Sequence, residues 1–386
     1  MSVRAGGTDE VARAAGLVAG LVERAALDGS TVVPVEVVAA ALRAVGVPDP
    51  APGAEQAGDA GRVVAYPDER LLGHPSWAAA EGSIAQDVVR LVAASGVQAV
   101  VVVDAPRGSA PRAVVGPLVD AVRSAGGRPV RVRGADGPAD GTAVAGADLV
   151  VVERADLLGL GDAARLLAST RDGARLVLVG DPALPPAPGP GRVLADLTAS
   201  GAVPVLPAPG ADDEGEPLAV LVRGLRDGAL PVPNPGRRDV VVTPAEDGAL
   251  AVRRAVQLVT SSVPRVFGVP AADTVVVAPR ADGVTGTTAL RTALRTALAA
   301  AGAAEVPVLA ATEAVGRRAG AVVLVLGAEA AGSLARDLLV GAATEAGLHL
   351  SVVHQAGPAL AEAVARLPHR PRRTRLAGLL VDVLAT

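Results

Sequence analysis

From about residue 96 onward the hydrophobic positions fall into short unbroken runs, separated by longer stretches with helical spacing. QAVVVVDAP, RPVRV, ADLVVVE and ARLVLVGDP are such runs, with helical patterns over 113–125 and 161–169 between them. Continuous Val/Leu runs alternating with helices predict a parallel sheet covered on both faces. Residues 204–217, rich in Pro, Gly and acid, read as a linker. A second unit of the same kind follows: RDVVVTP, a helix over 246–262, DTVVVAP, a helix over 287–301, AVVLVLG, LHLSVVHQ and a helix over 358–367. The chain closes with the basic stretch PHRPRRTR and a short apolar helix.

The first 95 residues have a different rhythm. Residues 9–47 predict two or three amphipathic helices broken at Asp28-Gly29-Ser30, 51–61 a loop, 62–67 a short strand and 77–95 a helix. The expected organisation is a small, mostly helical, winged-helix-like domain over 1–95, a first α/β lobe over 96–228 and a second over 229–386. Ligands of such sheets bind beyond the carboxyl ends of the strands. Here those ends are DAPRGSAP, ERADLL and GDPALPPAPGPG.

Composition narrows the chemistry. Half of the 386 residues are hydrophobic, enough for sizeable cores, and one each of Phe, Trp and Tyr leaves little for nucleic-acid bases to stack on. There is no cysteine, which excludes disulfides, zinc ribbons and thiol nucleophiles. His349 and His354 lack helical ligand spacing, and no metal site is expected. Lysine is also absent, so arginine carries the positive charge; the net charge of −4 gives no global attraction to nucleic acid. No signal peptide or membrane span is legible, and a cytoplasmic location is expected.

Three stretches carry a family resemblance. GDPALPPAPGPGRVLADLTASGAVPV is the most specific, followed by SSVPRVFGVPAADTVVVAPRADGVTG and AGAVVLVLGAEAAGSLARDLLVGAATEAGLHLSVVHQAGPALAEAVA. In order and spacing they resemble the motif ladder of RecD-like superfamily 1 DNA helicases, over residues 15–380. The nearest branch, from GC-rich bacteria, carries an N-terminal helix-hairpin-helix. No such hairpin is legible here, and the expectation is that this chain begins after it. The resemblance implies two RecA-like P-loop lobes with parallel sheets, ATP and Mg2+ as cofactors, and DNA as partner.

Read residue by residue, the nucleotide motifs depart from that family. A working P-loop is GxxxxGK[ST], whose lysine reaches the phosphates and whose hydroxyl holds Mg2+. In register here stand Arg107, Gly108, Ser109, Ala110 and Pro111, with Ala110 at the lysine position and Pro111 at the hydroxyl. The second motif, Asp-Glu in the family, reads Glu153-Arg154, and arginine cannot act as a general base. Gly180-Asp181-Pro182 is kept, but the glutamine after it is Leu184. Ala281 and Asp282 replace arginines, Thr312 to Gly316 replace a His-Lys-Ser-Gln-Gly segment, and Glu345 stands at the arginine finger. Gln86 aligns with an adenine-reading glutamine, though a solvated helix position accounts for it as well.

The expectation is therefore a vestigial nucleotide site at Arg107 to Pro111 and Asp181, with Glu153, Arg154, Leu184 and Glu345 as degenerate positions and no catalytic residue. Arg107 and Arg112 are the candidates for rescuing phosphate contact, and ATP with Mg2+ would be the cofactors if the site worked. Arg370, Arg372, Arg373 and Arg375 form a candidate nucleic-acid patch beside Arg366 and His369, with a solvated tail as the alternative. The readings left open are a pseudo-helicase scaffold with DNA or protein partners, an ATPase with an unconventional site, and a protein-interaction module.

Overall fold

A computed structural model of the chain describes residues 3–136, 144–210, 216–232, 236–300 and 302–384. Residues 211–215 of the expected linker and residue 301 of the expected helix lie outside that set.

The N-terminal unit runs α1 (Val3–Leu27), β1 (Val32–Pro34), α2 (Val35–Ala44), α3 (Ala51–Asp59), β2 (Val64–Tyr66) and β3 (Leu71–Gly73), with an antiparallel sheet in the order β1-β3-β2. That is the element order of a winged helix. Gly29, at φ +95°, makes the predicted break. Residues 51–61 form a helix, not the expected loop. Pro52 sits in the first turn, where its missing N–H costs nothing. Gly53 and Ala57 then face Ala14 and Ala15 of α1. The tertiary contact supplies what the Pro/Gly composition hid.

The first lobe contains α4 (Pro75–Ser95), β4 (Val100–Asp104), α5 (Pro111–Ser124), β5 (Pro129–Arg133), β6 (Leu149–Glu153), α6 (Leu160–Ser169), β7 (Arg175–Gly180), α7 (Val193–Ser200) and β8 (Val205–Pro207). Its five strands are all parallel in the order β5-β6-β7-β4-β8. Counted along the chain this is 5-1-4-3-2 from the β8 edge, the order of a RecA-like P-loop lobe. The start of the expected linker is thus a fifth strand, paired to β4 through Val102 and Val205.

The second lobe follows α8 (Pro217–Arg226) with β9 (Val240–Pro244), α9 (Gly248–Gln257), a π-helical turn at Leu258–Ser262, α10 (Val263–Phe267), β10 (Thr274–Ala278), α11 (Thr287–Ala300), β11 (Val308–Ala310), β12 (Ala319–Leu326), α12 (Arg336–Glu345), β13 (Ala346–His354), α13 (Ala359–Arg366) and α14 (Leu376–Leu384). Its strands are parallel in the order β11-β10-β12-β13-β9. The chain is an α/β protein of two RecA-like lobes behind a small, mostly helical unit.

Packing departs from chain order at three helices. Ile84, Val88 and Leu91 of α4 belong to the first lobe's core, although α4 falls within the expected N-terminal domain. Leu218, Leu221, Val222 and Leu225 of α8 are buried against Leu338 and Leu339 of α12, on the second lobe. Leu376 and Leu380 of α14 return to the first lobe's core, packing on α4 and α7. Boundaries at 95/96 and 228/229 therefore follow the sequence but not the cores.

Two glycines of α3 test its tertiary origin. A Cβ on Gly53 would lie 2.6 Å from the Ala14 methyl, whereas one on Gly58 would meet nothing within 4 Å. Gly53→Ala is expected to destabilise the N-terminal unit by about 1–3 kcal/mol. Gly58→Ala should stabilise it by about 0.5–1 kcal/mol through helix propensity. Amide hydrogen exchange of α1 and α3, which reads the opening of that unit, would give opposite shifts for the two variants.

Candidate functional site

The site lies where the strand order of the first lobe reverses, between β4 and β7. Asp104 ends β4 opposite Gly180, and Asp181 follows at once, so two carboxylates sit side by side at the sheet's carboxyl edge. Asp181 is 2% exposed. Its Oδ1 accepts the Ala183 N–H at 2.9 Å, which is the turn that Gly-Asp-Pro encodes. Arg226, from the last turn of α8, donates Nη1 to Asp181 and Nη2 to Asp104. Burial lifts the Asp181 pKa above the ordinary range while Arg226 pulls it down. Arg226 is itself desolvated, yet the two carboxylates raise its pKa further. A guanidinium thus lies between the two acids at the point where a RecA-like lobe would meet its ligand.

The loop after β4 is turned inward. Ser109 N–H donates to Pro106 O at 3.1 Å and Ala110 N–H to Pro209 O at 2.8 Å. These two amides satisfy the backbone and not a phosphate. Gly108, at φ +78°, lies so close to α8 that a Cβ would stand 2.6 Å from the Ala219 methyl. Pro111 opens α5 in its first turn.

Arg107 crosses to the second lobe. It pairs bidentately with Glu216, at 2.9 and 2.7 Å. It also donates to the Ala343, Thr344, Ala346 and Gly347 carbonyls at and just beyond the end of α12. The Ala343 and Thr344 carbonyls belong to the negative end of that helix, where a cation is stabilised. Glu216 is held in turn, because it caps α8 by accepting the Ala219 N–H at 3.0 Å. The Arg107 side chain is 11% exposed.

Arg154 sits in the left-handed region at φ 55°, the backbone turn that swings its side chain towards the other lobe. It pairs with Asp156 at 2.8 Å and with Glu345, at the end of α12, also at 2.8 Å. Burial disfavours the charged guanidinium, but the two carboxylates outweigh it and raise the pKa. Glu345 Oε1 accepts the Gly316 N–H as well, at 3.2 Å. The lobes touch closely around these pairs. A Cβ on Gly341 would stand 2.8 Å from Pro185 Cγ, and one on Gly316 would stand 2.9 Å from Leu157 Cδ1. Leu184 is buried with the second lobe's core.

Glu153 takes no part in these pairs and forms a half-exposed one with Arg131 at 2.7 Å. Beside the loop lies an open cavity of about 370 Å3, whose walls include Arg107 to Ser109, Pro111, Glu153, Asp181 and Thr344, with the exposed Arg112 and Arg318. Gln86 is exposed on α4, and Arg280 pairs at the surface with Asp282.

The C-terminal arginines are spread over several intramolecular contacts. Arg372 Nη1 donates to the Ala187, Gly189 and Gly191 carbonyls, at 3.2, 2.9 and 2.8 Å. Burial brings its pKa down to about 10. The Arg375 guanidinium lies 3.6 Å from the centre of the Tyr66 ring and pairs with Glu69. Arg370 is half-buried, and Arg366 and Arg373 are exposed.

The structure brings Asp104, Arg107, Arg154, Asp181 and Glu345 together and adds Arg226 and Glu216, which the sequence reading passed over. The amphipathic run PLAVLVRGLR marks α8 as a helix, but nothing in it marks Arg226 as the partner of carboxylates more than forty residues away.

Removing one partner of a buried ion pair costs about 3–5 kcal/mol, because the other charge stays buried. Arg226→Met is expected to lower stability by that order at pH 7. The deficit should shrink towards pH 4, where the stranded Asp181, already raised by burial, takes up a proton, and Asp181→Asn in the same background should recover part of it at pH 7. Urea unfolding of Arg226→Met and of the double variant, each against the natural protein at both pH values, checks this.

No protein-family model matches this chain, and no curated protein matches it. Among solved structures it is similar to a crystal structure of Arterivirus nonstructural protein 10, a helicase, at a TM-score of 0.34 and 17% identity, over 73% of this chain. The match spans 59% of that helicase's length. The assignment to two RecA-like lobes stands on the two parallel sheets and their strand order.

Proposed function

We propose that this chain is a helicase-like protein of RecD-like descent that no longer hydrolyses ATP and acts as a binding scaffold in DNA metabolism. The observation that carries this is the Arg154–Glu345 pair, at 2.8 Å across the lobes. In the family it resembles, a carboxylate of the first lobe activates water, and an arginine finger of the second stabilises the transferring phosphoryl group. Here both charges are exchanged between the lobes, and the two side chains neutralise each other. Arginine cannot take the proton and glutamate would repel the phosphates, yet the pair still joins the lobes. Ala110 and Pro111 in the loop, the inward-turned Ser109 and Ala110 amides and the buried Leu184 agree with that reading.

Loss of turnover leaves binding as the role. With Arg372 and Arg375 engaged inside the molecule, DNA contact by the basic segment would fall to Arg366, Arg370 and Arg373. A protein partner is the reading we favour. One observation favours an ATPase with an unconventional site instead: the cavity of about 370 Å3 with Arg112 and Arg318 exposed along it.

Calorimetry with Mg-ATP, and ATP turnover with and without single-stranded DNA, decide between the two. The scaffold reading expects no binding heat and no turnover. DNA-stimulated turnover that Arg112→Ala with Arg318→Ala abolishes would replace it with the second reading. The exchanged pair has its own test. Arg154→Glu and Glu345→Arg should each lower stability by about 3 kcal/mol. The double variant should recover part of the loss, read as the coupling in a double-mutant cycle.

A further inference from the structure

Between α13 and α14 the chain runs without helix or strand over residues 367–375 and touches all three units. On the second lobe, Leu367 O and Pro368 O accept the Arg336 and Asp337 N–H groups at 2.8 and 3.1 Å. On the first lobe, Arg372 fills the turn at Gly189–Gly191. At the N-terminal unit, Arg373 O accepts the Thr31 N–H at 2.8 Å, and Arg375 lies over Tyr66. Helix α14 then docks on α4 and α7.

Three carboxylates lie buried beneath this segment, two from helices of the first lobe and one from the second. Asp337 of α12 accepts the Arg370 N–H at 3.2 Å, Asp196 of α7 accepts the Thr374 hydroxyl at 3.1 Å, and Glu81 of α4 accepts the Arg375 N–H at 3.1 Å. They are 3%, 1% and 1% exposed, respectively. In each, one oxygen bonds the segment and the other is buried with no partner: Asp337 Oδ1, Asp196 Oδ2 and Glu81 Oε2. An unpartnered anionic oxygen away from water is costly. A proton on that oxygen replaces the cost of a buried charge by the smaller one of a buried hydroxyl, and leaves the bonded oxygen free to keep accepting from the segment.

We propose that residues 367–375 form a proton-sensitive strap, held tightly over the three units while the carboxylates beneath it are neutral and loosening as they ionise. The release would uncover the Gly189–Gly191 turn and the seat of α14 on the first lobe. This inference does not depend on whether the chain hydrolyses ATP.

The groups around the strap set the sign. Glu81 faces Thr31, Asp196 and the Arg375 and Leu376 amides; burial outweighs these hydrogen bonds, which pull the other way, and pushes its pKa up to about 7. Burial also raises Asp196, which faces Arg192 and Thr374, and Asp337, which faces Arg370, Arg372 and His369. A carboxyl whose folded value lies above its unfolded one contributes stability that is full below the unfolded value and is lost as pH rises through the folded one. His369 works the other way. Burial lowers its pKa, so its contribution is lost as pH falls, against the acids. Comparison with Glu81→Gln isolates the carboxylate effect.

Amide hydrogen exchange of residues 370–376, corrected for intrinsic rates, reads the opening of the strap. In the natural protein the opening constant is expected to rise on the order of 10- to 100-fold from pH 5 to pH 8. In Glu81→Gln most of that rise should vanish, and the strap should be more closed at pH 8. Trypsin at a fixed pH 8 should then cut at Arg373 more slowly in the variant. Equal pH slopes with and without the substitution, or faster cutting of the variant, would overturn the proposal. Should Glu81→Gln fail to fold, Asp196→Asn is read against the same outcomes.

Discussion

The contact of Arg226 with Asp104 and Asp181 is the one on which the relation of the two lobes depends. Two carboxylates at adjacent ends of parallel strands repel each other and resist burial unless a cation joins them. Here the cation arrives on a helix whose apolar face belongs to the second lobe. Charge balance at the first lobe's sheet edge is therefore complete only when the second lobe is in place. Arg107 and Arg154 repeat the logic, each rooted in the first lobe and satisfied by the end of α12. Lysine could not do this as well. A planar guanidinium serves two acceptors at once, and each of these three arginines does so.

Buried ion pairs are weak sources of stability, because desolvation offsets much of the attraction. Their contribution here is register. The attraction that closes the lobes comes from the apolar seam of Leu184 and Pro185 and the close approach at Gly316 and Gly341. The arginines decide how that seam is aligned. The Arg154–Glu345 pair adds to that alignment by joining the first lobe to the end of α12.

Much of this architecture was legible in the sequence. The valine runs gave the central strands, and Gly29 and the Gly-Asp-Pro turn fell where expected. The helix over 51–59, the strand at Val205–Pro207 and the attachment of α8 and α14 were not legible. Each is decided by what lies across the fold and not by local pattern: Ala14 beneath Gly53, β4 beside β8, the two cores that recruit helices from outside their own segments. At the site, the absence of lysine could be read directly. The partners of Arg107, Arg154 and Arg226 could not, because charge complementarity between residues tens to hundreds of positions apart leaves no periodic trace. The basic segment near the C-terminus is ambiguous for a related reason. A cluster of arginines looks the same in sequence whether it faces solvent or, like Arg372, reaches into a turn of the protein's own backbone.

The recruitment of α14 has a consequence for how the molecule is made. Leu376 and Leu380 complete a core whose other members begin near Ile84, so the first lobe lacks two of its buried leucines until almost three hundred further residues have left the ribosome. During synthesis that lobe must wait with an open groove between α4 and α7, and the second lobe lies between the groove and the helix that fills it. Order of emergence and order of completion are reversed, and the earliest lobe to appear is among the last parts of the protein to become whole.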